Sequence, residues 1–190
     1  MLDNISNITS SGKIENGIVD LYAIWSLATY TYTGNYVFDR STYIDTGIYL
    51  FSRENVDKDF DIAFEIVDRI STANQATLIS AMDESGSPWP GFVYRVSNGS
   101  EDEINVNVNG SIKVTKKYRR TDTNKVVIKR RSGVIYISIN DGADSKVLDM
   151  TTLNKTFNVP LTIGSSLTAG GAPQRYFEGT LKDINVTLYE

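Results

Sequence analysis

Side chains that could do acid–base, nucleophilic or metal chemistry are limited in type in this 190-residue chain. It contains no Cys and no His. Thiolate nucleophiles, Ser-His-Asp triads and metal sites built on Cys or His are therefore excluded. Only carboxylates, Tyr, Lys and Arg remain for chemistry at a site. The absence of Cys also leaves the redox compartment undetermined, since such a chain is indifferent to it.

A loop rich in turn-forming residues is the best candidate for contact with a ligand. Residues 83–91 (DESGSPWPG) place Trp89 between two prolines. A sugar site needs an aromatic ring for the C–H surface and polar groups for the hydroxyls. Asp83, Tyr94 and Arg95 are near enough in sequence to join Trp89. The alternative is that Trp89 folds back over the edge of the protein and contacts no ligand.

Two short cationic stretches form a second candidate. Residues 116–120 (KKYRR) include Lys117, Tyr118 and Arg119, and residues 129–131 read KRR. Such groups suit sulfate, carboxylate or phosphate groups on a glycan. Solvated strand faces and protected sheet edges account for most charge runs of this kind. A nucleic-acid partner is not expected, because the net charge is −4 and no nucleic-acid module is recognisable.

Alternating apolar residues predict strands that would position these side chains. The alternation runs through residues 60–66, 92–96, 104–108, 135–139 and 184–188. Asn109-Gly110 predicts a type I′ hairpin, and residues 140–142 (NDG) predict a turn. Residues 56–70 also approach helical spacing, but strict alternation and neighbouring strands favour a strand. Because no internal repeat is present, an all-β sandwich or jelly roll is expected.

The last strand of the chain shows a change of parity. Apolar residues at 184, 186 and 188 share one side, whereas Leu181 has the opposite parity. A slip or bulge near Lys182 and Asp183 is therefore expected. Gly179 gives the backbone the freedom to turn Phe177 into the core just before the strand.

Six segments occur in an order typical of one family of sandwiches. They are residues 36–47 (YVFDRSTYIDTG), 58–66 (KDFDIAFEI), 77–81 (TLISA), 125–140 (KVVIKRRSGVIYISIN), 161–164 (LTIG) and 177–184 (FEGTLKDI). This order resembles laminin-G-like domains of the concanavalin A-like lectin/glucanase superfamily over about residues 35–190. The resemblance implies a jelly-roll β-sandwich of two antiparallel sheets. It says little about the ligand, because one fold serves many functions.

The N-terminal 30 residues fall outside that resemblance. Residues 17–25 (GIVDLYAIW) resemble the last strand of small β-grasp repeats that precede terminal domains in bacterial surface proteins and some phage fibres. Residues 1–30 are then an N-terminal segment or a remnant of such a repeat, with a joint at 27–34, and residues 31–190 form the sandwich. Alternatively, residues 18–25 are an outer strand of the sandwich.

The resemblance also raises catalysis and metal binding as questions. Glucanases of this superfamily place carboxylates at alternate positions of one strand. Neither residues 101–103 (EDE) nor Glu65 with Asp68 supplies three such carboxylates, so we predict no enzymatic activity. Laminin-G-like domains often bind calcium through Asp side chains and backbone carbonyls at the rim. Asp83 and Asp141 can serve in that role, but nothing determines the other ligands, so no cofactor is predicted.

Two functional classes fit this sequence. The first is a lectin-like, non-catalytic carbohydrate-binding module that attaches a phage fibre or bacterial surface protein to a cell-surface glycan. The alternative is a structural virion or appendage domain that mediates protein assembly, including as a homo-oligomer, without binding sugar. Both place the protein outside the cell or in a virion. No apolar run reaches the ~18 residues that span a bilayer, and no signal-peptide pattern is present, so membrane insertion is not expected.

Overall fold

The computed structural model of this protein describes residues 11–15, 18–22, 26–70, 75–84, 91–98, 100–108, 111–149, 156–168 and 170–190. Regular structure in these residues consists of β-strands and one short 3₁₀ turn, Arg120–Asp122. No helix among them has the length and hydropathy that a bilayer span requires. The predicted all-β class is therefore confirmed.

Two antiparallel six-stranded sheets form the sandwich. The first sheet contains, in spatial order, β12 (Ser145–Asp149), β11 (Val134–Ile139), β10 (Lys125–Arg131), β5 (Phe60–Arg69), β16 (Glu178–Tyr189) and β3 (Ser26–Asp39). The second sheet contains β4 (Ile44–Asp45), β13 (Thr162–Ile163), β6 (Thr77–Met82), β7 (Gly91–Asn98), β8 (Glu101–Val108) and β9 (Ser111–Arg119). Two separate ribbons pair β1 (Ser11–Glu15) with β2 (Ile18–Tyr22), and β14 (Ser166–Leu167) with β15 (Pro173–Gln174). This architecture confirms the predicted jelly-roll β-sandwich.

The core lies between the two sheets and is lined by alternate residues of their strands. Phe60, Ile62 and Phe64 of β5 are all buried, because a period of two places them on one face. Phe60 stacks on Phe92 of β7 with ring centroids 5.8 Å apart, and Phe64 meets Tyr94 edge to face at 5.9 Å. Residues 60–69 are thus a strand, as the alternation predicted, and not a helix.

The predicted turns connect the strands as expected. β8 pairs with β9 so that Val108 lies opposite Ser111, which confirms the hairpin, although Asn109 and Gly110 themselves lie outside the described residues. β11 ends just before Asn140, whose φ of 51° is a left-handed value that Asn tolerates. The side-chain oxygen of Asn140 accepts hydrogen bonds from the N–H groups of residues 124 and 125, both at 2.9 Å.

β16 contains the predicted irregularity. Its pairing with β3 shifts between Lys182 and Ile184, and Asp183 adopts a φ of 49°. Oδ1 of Asp183 accepts a hydrogen bond from the Gly34 N–H at 3.0 Å, which ties the bulge to β3. Leu181 and Ile184 can therefore both face the core although their parities differ.

The N-terminal strands pair in a way that the sequence did not specify. β2 pairs with β1 in the two-stranded ribbon and not with either large sheet. β3 joins the first sheet from Ser26 onward, where Ser26 lies opposite Tyr189. The division at residues 30 and 31 stays a prediction, but the strand that enters the sandwich begins before it.

Candidate functional site

The outer face of the second sheet carries a cluster of charged and amide side chains. Arg95 on β7 lies opposite Glu103 on β8, and the next such pair on this face is Val93 with Asn105. Because successive strand residues point to opposite faces, these side chains point away from the core. We call the following residues the polar face: Glu84, Arg95, Glu103, Asn105 and Arg175.

Arg95 and Glu103 form a nearly buried ion pair at the centre of the polar face. Nε of Arg95 lies 2.9 Å from Oε1 of Glu103, and their side chains are only 13% and 9% exposed. Nδ2 of Asn105 donates a second hydrogen bond to the same oxygen at 2.8 Å. Burial alone would raise the pKa of Glu103, but hydrogen bonds from Ser97, Asn105 and Arg95 outweigh it and lower the pKa. Glu103 is therefore ionised at neutral pH and holds Arg95 in place.

A second arginine lies next to the first. The Arg175 guanidinium contacts both carboxylate oxygens of Glu84, at 3.0 Å and 3.1 Å, and the Glu84 side chain is only 3% exposed. Burial lowers the pKa of Arg175, Glu84 raises it, and the positive charge of nearby Arg95 lowers it again. Arginine stays charged in proteins. The polar face thus presents two neighbouring guanidinium groups whose carboxylate partners lie beneath the surface.

Backbone hydrogen bonds along β6 hold the segment that carries Arg175. The Thr77 N–H donates to the Arg175 carbonyl at 2.8 Å, and the Glu84 N–H donates to the Leu167 carbonyl at 3.0 Å. Thr77 itself lies opposite Arg95, so these bonds bring Arg175 to the edge of the Arg95–Glu103 pair. Arg175 has a φ of 53°, a left-handed value that is uncommon for a residue other than glycine.

The residues predicted to form a site around residues 83–91 lie in different parts of the structure. Arg95 belongs to the polar face, and Asp83 lies at the end of β6, where it bridges to Leu167. Trp89 lies in residues 85–90, outside the described residues. Tyr94, predicted as a ligand contact, is a core residue instead. It is next to Arg95 on β7, so its side chain points to the opposite face of the sheet. Its side chain is fully buried and its hydroxyl donates to Asp102 at 3.5 Å.

The predicted residues of the first cationic stretch also divide between two faces. Lys117 lies on the outer face and pairs with Glu101 at 3.5 Å. Arg119 is exposed at the end of β9, whereas Tyr118 is half-buried and packs against the core. Burial raises the pKa of the Tyr118 phenol. Tyr118, predicted as a ligand contact, therefore closes the core instead. Lys117 and Arg119 stay accessible.

The second cationic stretch belongs to the other sheet. Lys129 pairs with Asp144 at 3.1 Å, and Arg131 pairs with Asp61 at 2.6 Å on the outer face of the first sheet. Arg130, between them, points inward and donates to the Val56 carbonyl. The two stretches lie on different sheets, although Lys116 of the first donates to the Ser145 hydroxyl at 2.6 Å, next to the Asp144 that pairs with Lys129.

The two aspartates considered for calcium follow strands of different sheets, Asp83 after β6 and Asp141 after β11. Asp141 pairs with Lys125 at 2.7 Å, and Asp83 lies beside the buried carboxylate of Glu84. Across the described ranges, no group of three or more acidic residues could hold a metal ion.

Most of the polar face was missed by sequence reasoning. Glu103 and Asn105 could have been found, since both share with Arg95 the outward parity of adjacent predicted strands. Arg175 had no local signal, because its partner Glu84 is 91 residues away. Asn105 is only 3% exposed although it lies on the outward face of β8.

No protein-family model matches the chain, and no curated protein sequence is significantly similar to it. The CBM40 module of the Ruminococcus gnavus IT-sialidase, bound to α2,3-sialyllactose, has a TM-score of 0.49 and 14% identity over 87% of this chain and 92% of its own. A leech intramolecular trans-sialidase has a TM-score of 0.50 and 15% identity, covering 85% of this chain and 25% of that chain. The botulinum neurotoxin serotype G binding domain has a TM-score of 0.47 and 15% identity, covering 95% of this chain and 47% of that chain.

These likenesses concern the fold alone, because the identities are so low. The two antiparallel six-stranded sheets define the chain as a β-sandwich. The narrower laminin-G-like membership stays a prediction.

Proposed function

We propose that the chain is a non-catalytic carbohydrate-binding module whose ligand binds on the polar face. The observation that supports this proposal is the pair of neighbouring guanidinium groups of Arg95 and Arg175, each held by a buried carboxylate. Side chains that neighbouring groups already hold in place lose little conformational entropy when a ligand binds.

The chemistry of the polar face fits an acidic glycan. Guanidinium groups bind carboxylates through two parallel hydrogen bonds, and Arg175 is 31% exposed, which leaves part of its side chain open to solvent. Asn105 and Glu103 are nearly buried and bond to each other, so they hold Arg95 in place beneath the ligand. We therefore expect a sugar that carries a carboxylate to bind better than a neutral one.

The carboxylates of the polar face are poorly suited to catalysis. A glycosidase needs one carboxyl group with a raised pKa to protonate the leaving group. The pKa of Glu103 is lowered instead, and Glu84 is held by Arg175. This supports a binding role in place of hydrolysis.

The resemblance of residues 17–25 to β-grasp repeats favours a place near the tip of a phage fibre or a bacterial surface protein. In either setting the module would be outside the cell or on a virion and would attach its parent protein to a cell-surface glycan.

A glycan array with matched variants tests the proposal. The wild-type chain should bind acidic glycans, and Arg175→Gln should weaken that binding by about tenfold or more, since a charge-assisted hydrogen-bond pair is lost. Arg40→Gln is the control, because Arg40 also has a left-handed φ, of 68°, and an ion pair with a glutamate, Glu178, but directly follows β3 of the first sheet. It should bind like the wild type.

Other outcomes are equally informative. No binding to any acidic or neutral glycan on a broad array would overturn the proposal, and self-association under those conditions would favour the structural alternative. Binding that survives Arg175→Gln but is abolished by Trp89→Ala would place the ligand at the loop of residues 83–91 instead.

A further inference from the structure

A concave surface lies at one end of the sandwich, between the ends of strands from both sheets. It is an open depression of about 540 Å³. Its lining residues come from the ends of β5 and β9, from the start of β8 and from the 3₁₀ turn: Arg69, Ser100, Glu101, Arg119, Arg120 and Thr121. We call it the rim depression. It shares no residue with the polar face.

Two arginines of the rim depression are held rigidly by each other's backbone. Nη1 of Arg69 donates to the Arg120 carbonyl at 3.3 Å, and Nη2 of Arg120 donates to the Arg69 carbonyl at 3.3 Å. Arg69 also donates to the Thr123 carbonyl at 2.6 Å. The side chains of Arg69 and Arg120 are only 9% and 11% exposed. Their guanidinium groups are therefore positioned before any ligand arrives.

Positive charge exceeds negative charge in the rim depression. Arg69 and Arg120 share one carboxylate, the fully buried Asp102, at 2.8 Å and 3.8 Å. Arg119 adds a third guanidinium, and Glu101 adds a carboxylate that also pairs with Lys117. Burial lowers the pKa of Arg120, while the charge of Asp102 acts in the opposite direction. Positive charge in partly buried surroundings is stabilised by an anion.

We propose that the rim depression binds a tetrahedral oxyanion, a sulfate or phosphate group. The exposed guanidinium of Arg119 lines the depression beside the held guanidinium of Arg120, and grouped guanidinium groups are the side chains that suit such an anion. The depression is larger than a bare ion, so it also has room for the molecule that carries the anion. The proposal does not depend on the proposed function, since it uses no residue of the polar face.

An amide-resolved NMR titration at constant ionic strength tests this proposal. The probes are inorganic sulfate, inorganic phosphate, glucosamine 6-sulfate and glucose 6-phosphate, each compared with chloride. The signals of residues 100–101 and 119–121 should shift and saturate. Arg120→Gln should weaken binding by about tenfold or more, in line with the loss of a charge-assisted hydrogen bond.

Two further variants keep the test decisive. Arg119→Gln removes an exposed side chain, so it should fold normally and still weaken binding at least about threefold through the lost charge. Arg53→Gln removes an equal charge from an exposed arginine elsewhere and should leave binding unchanged. Tighter binding of the sugar esters than of the bare ions would identify a glycan-borne group, and equal binding would identify a free ion. Shifts that chloride reproduces, or equal affinities in all variants, would overturn the proposal.

Discussion

Gly91 begins β7 at a point where the backbone of β6 leaves no room for a side chain. Its φ is +112°, and a Cβ added there would lie 1.9 Å from the Ala81 carbonyl oxygen and 2.9 Å from the Phe157 ring. The carbonyl belongs to the β6–β7 ladder, in which Ala81 lies opposite Phe92, so it cannot move without disturbing the sheet. Both the space and the conformation therefore require glycine here.

Gly91→Ala is predicted to lower the free energy of unfolding by about 3 kcal/mol, the combined effect of a strained backbone and overpacking. Gly47→Ala is the matched control, because Gly47 also has a positive φ, of +68°, but has no atom within 4 Å of an added Cβ. It should cost only about 1 kcal/mol from backbone strain. Urea denaturation of both variants measures the difference. Equal losses would show that the contact with Ala81 has no energetic consequence.

At the scale of elements, the bulge in β16 decides which side chains of the last strand reach the core. Leu181 and Ile184 are both fully buried, although their separation by three residues would place them on opposite faces of a regular strand. Asp183 absorbs the extra residue in a left-handed conformation and bonds to Gly34. The bulge therefore keeps both halves of β16 in register with β3 and β5.

Asp183→Val is predicted to destabilise the protein by about 2 kcal/mol or more, because a β-branched residue does not tolerate the left-handed φ of 49° and Val cannot accept the hydrogen bond from Gly34. Asp183→Asn is the control. Asn tolerates a left-handed φ and can still accept the bond from Gly34, so the variant should lose less than about 1 kcal/mol. Chemical denaturation checks both values, and an Asp183→Val variant as stable as Asp183→Asn would contradict this account of the bulge.

For the whole molecule, a buried ion pair connects the two sheets. Arg69 at the end of β5 reaches Asp102 on β8, with Nη2 and Oδ2 2.8 Å apart. Burial raises the pKa of Asp102, while the charges and hydrogen bonds of Arg69 and Arg120 lower it without fully offsetting that effect. The pair therefore costs desolvation energy, yet removal of one partner leaves the other charge buried.

A double-mutant cycle tests this connection between the sheets. Asp102→Asn and Arg69→Met should each lower the free energy of unfolding by about 3 kcal/mol, since the first leaves two buried guanidinium groups without their carboxylate and the second leaves Asp102 with Arg120 alone, at 3.8 Å. The double variant should lose at least about 1 kcal/mol less than the sum, because the two side chains are in contact. Urea denaturation gives all four values. Additive losses would show that the two residues do not stabilise the sandwich as a pair.

The amino-acid sequence alone determined the class of fold, most strands and the faces that form the core. Alternation in residues 60–66 and the change of parity before residue 184 are local signals, since the side-chain period of a strand is two residues. The turn at residues 140–142 and the hairpin between β8 and β9 were predictable for the same reason. Such features depend on neighbours in sequence and need no knowledge of how the sheets are ordered.

Only the tertiary structure decided which charged residues meet. Arg95 was predicted as a candidate, but Arg175 joins it through the ribbon beside β6, and Glu84 lies 91 residues from its partner. Arg69 reaches Asp102 across the gap between the sheets. The order of strands in a sheet sets these contacts, and the alternation pattern is the same for every order of strands. For that physical reason the core residues could be predicted from the sequence, whereas the polar face and the rim depression could be recognised only in the tertiary structure.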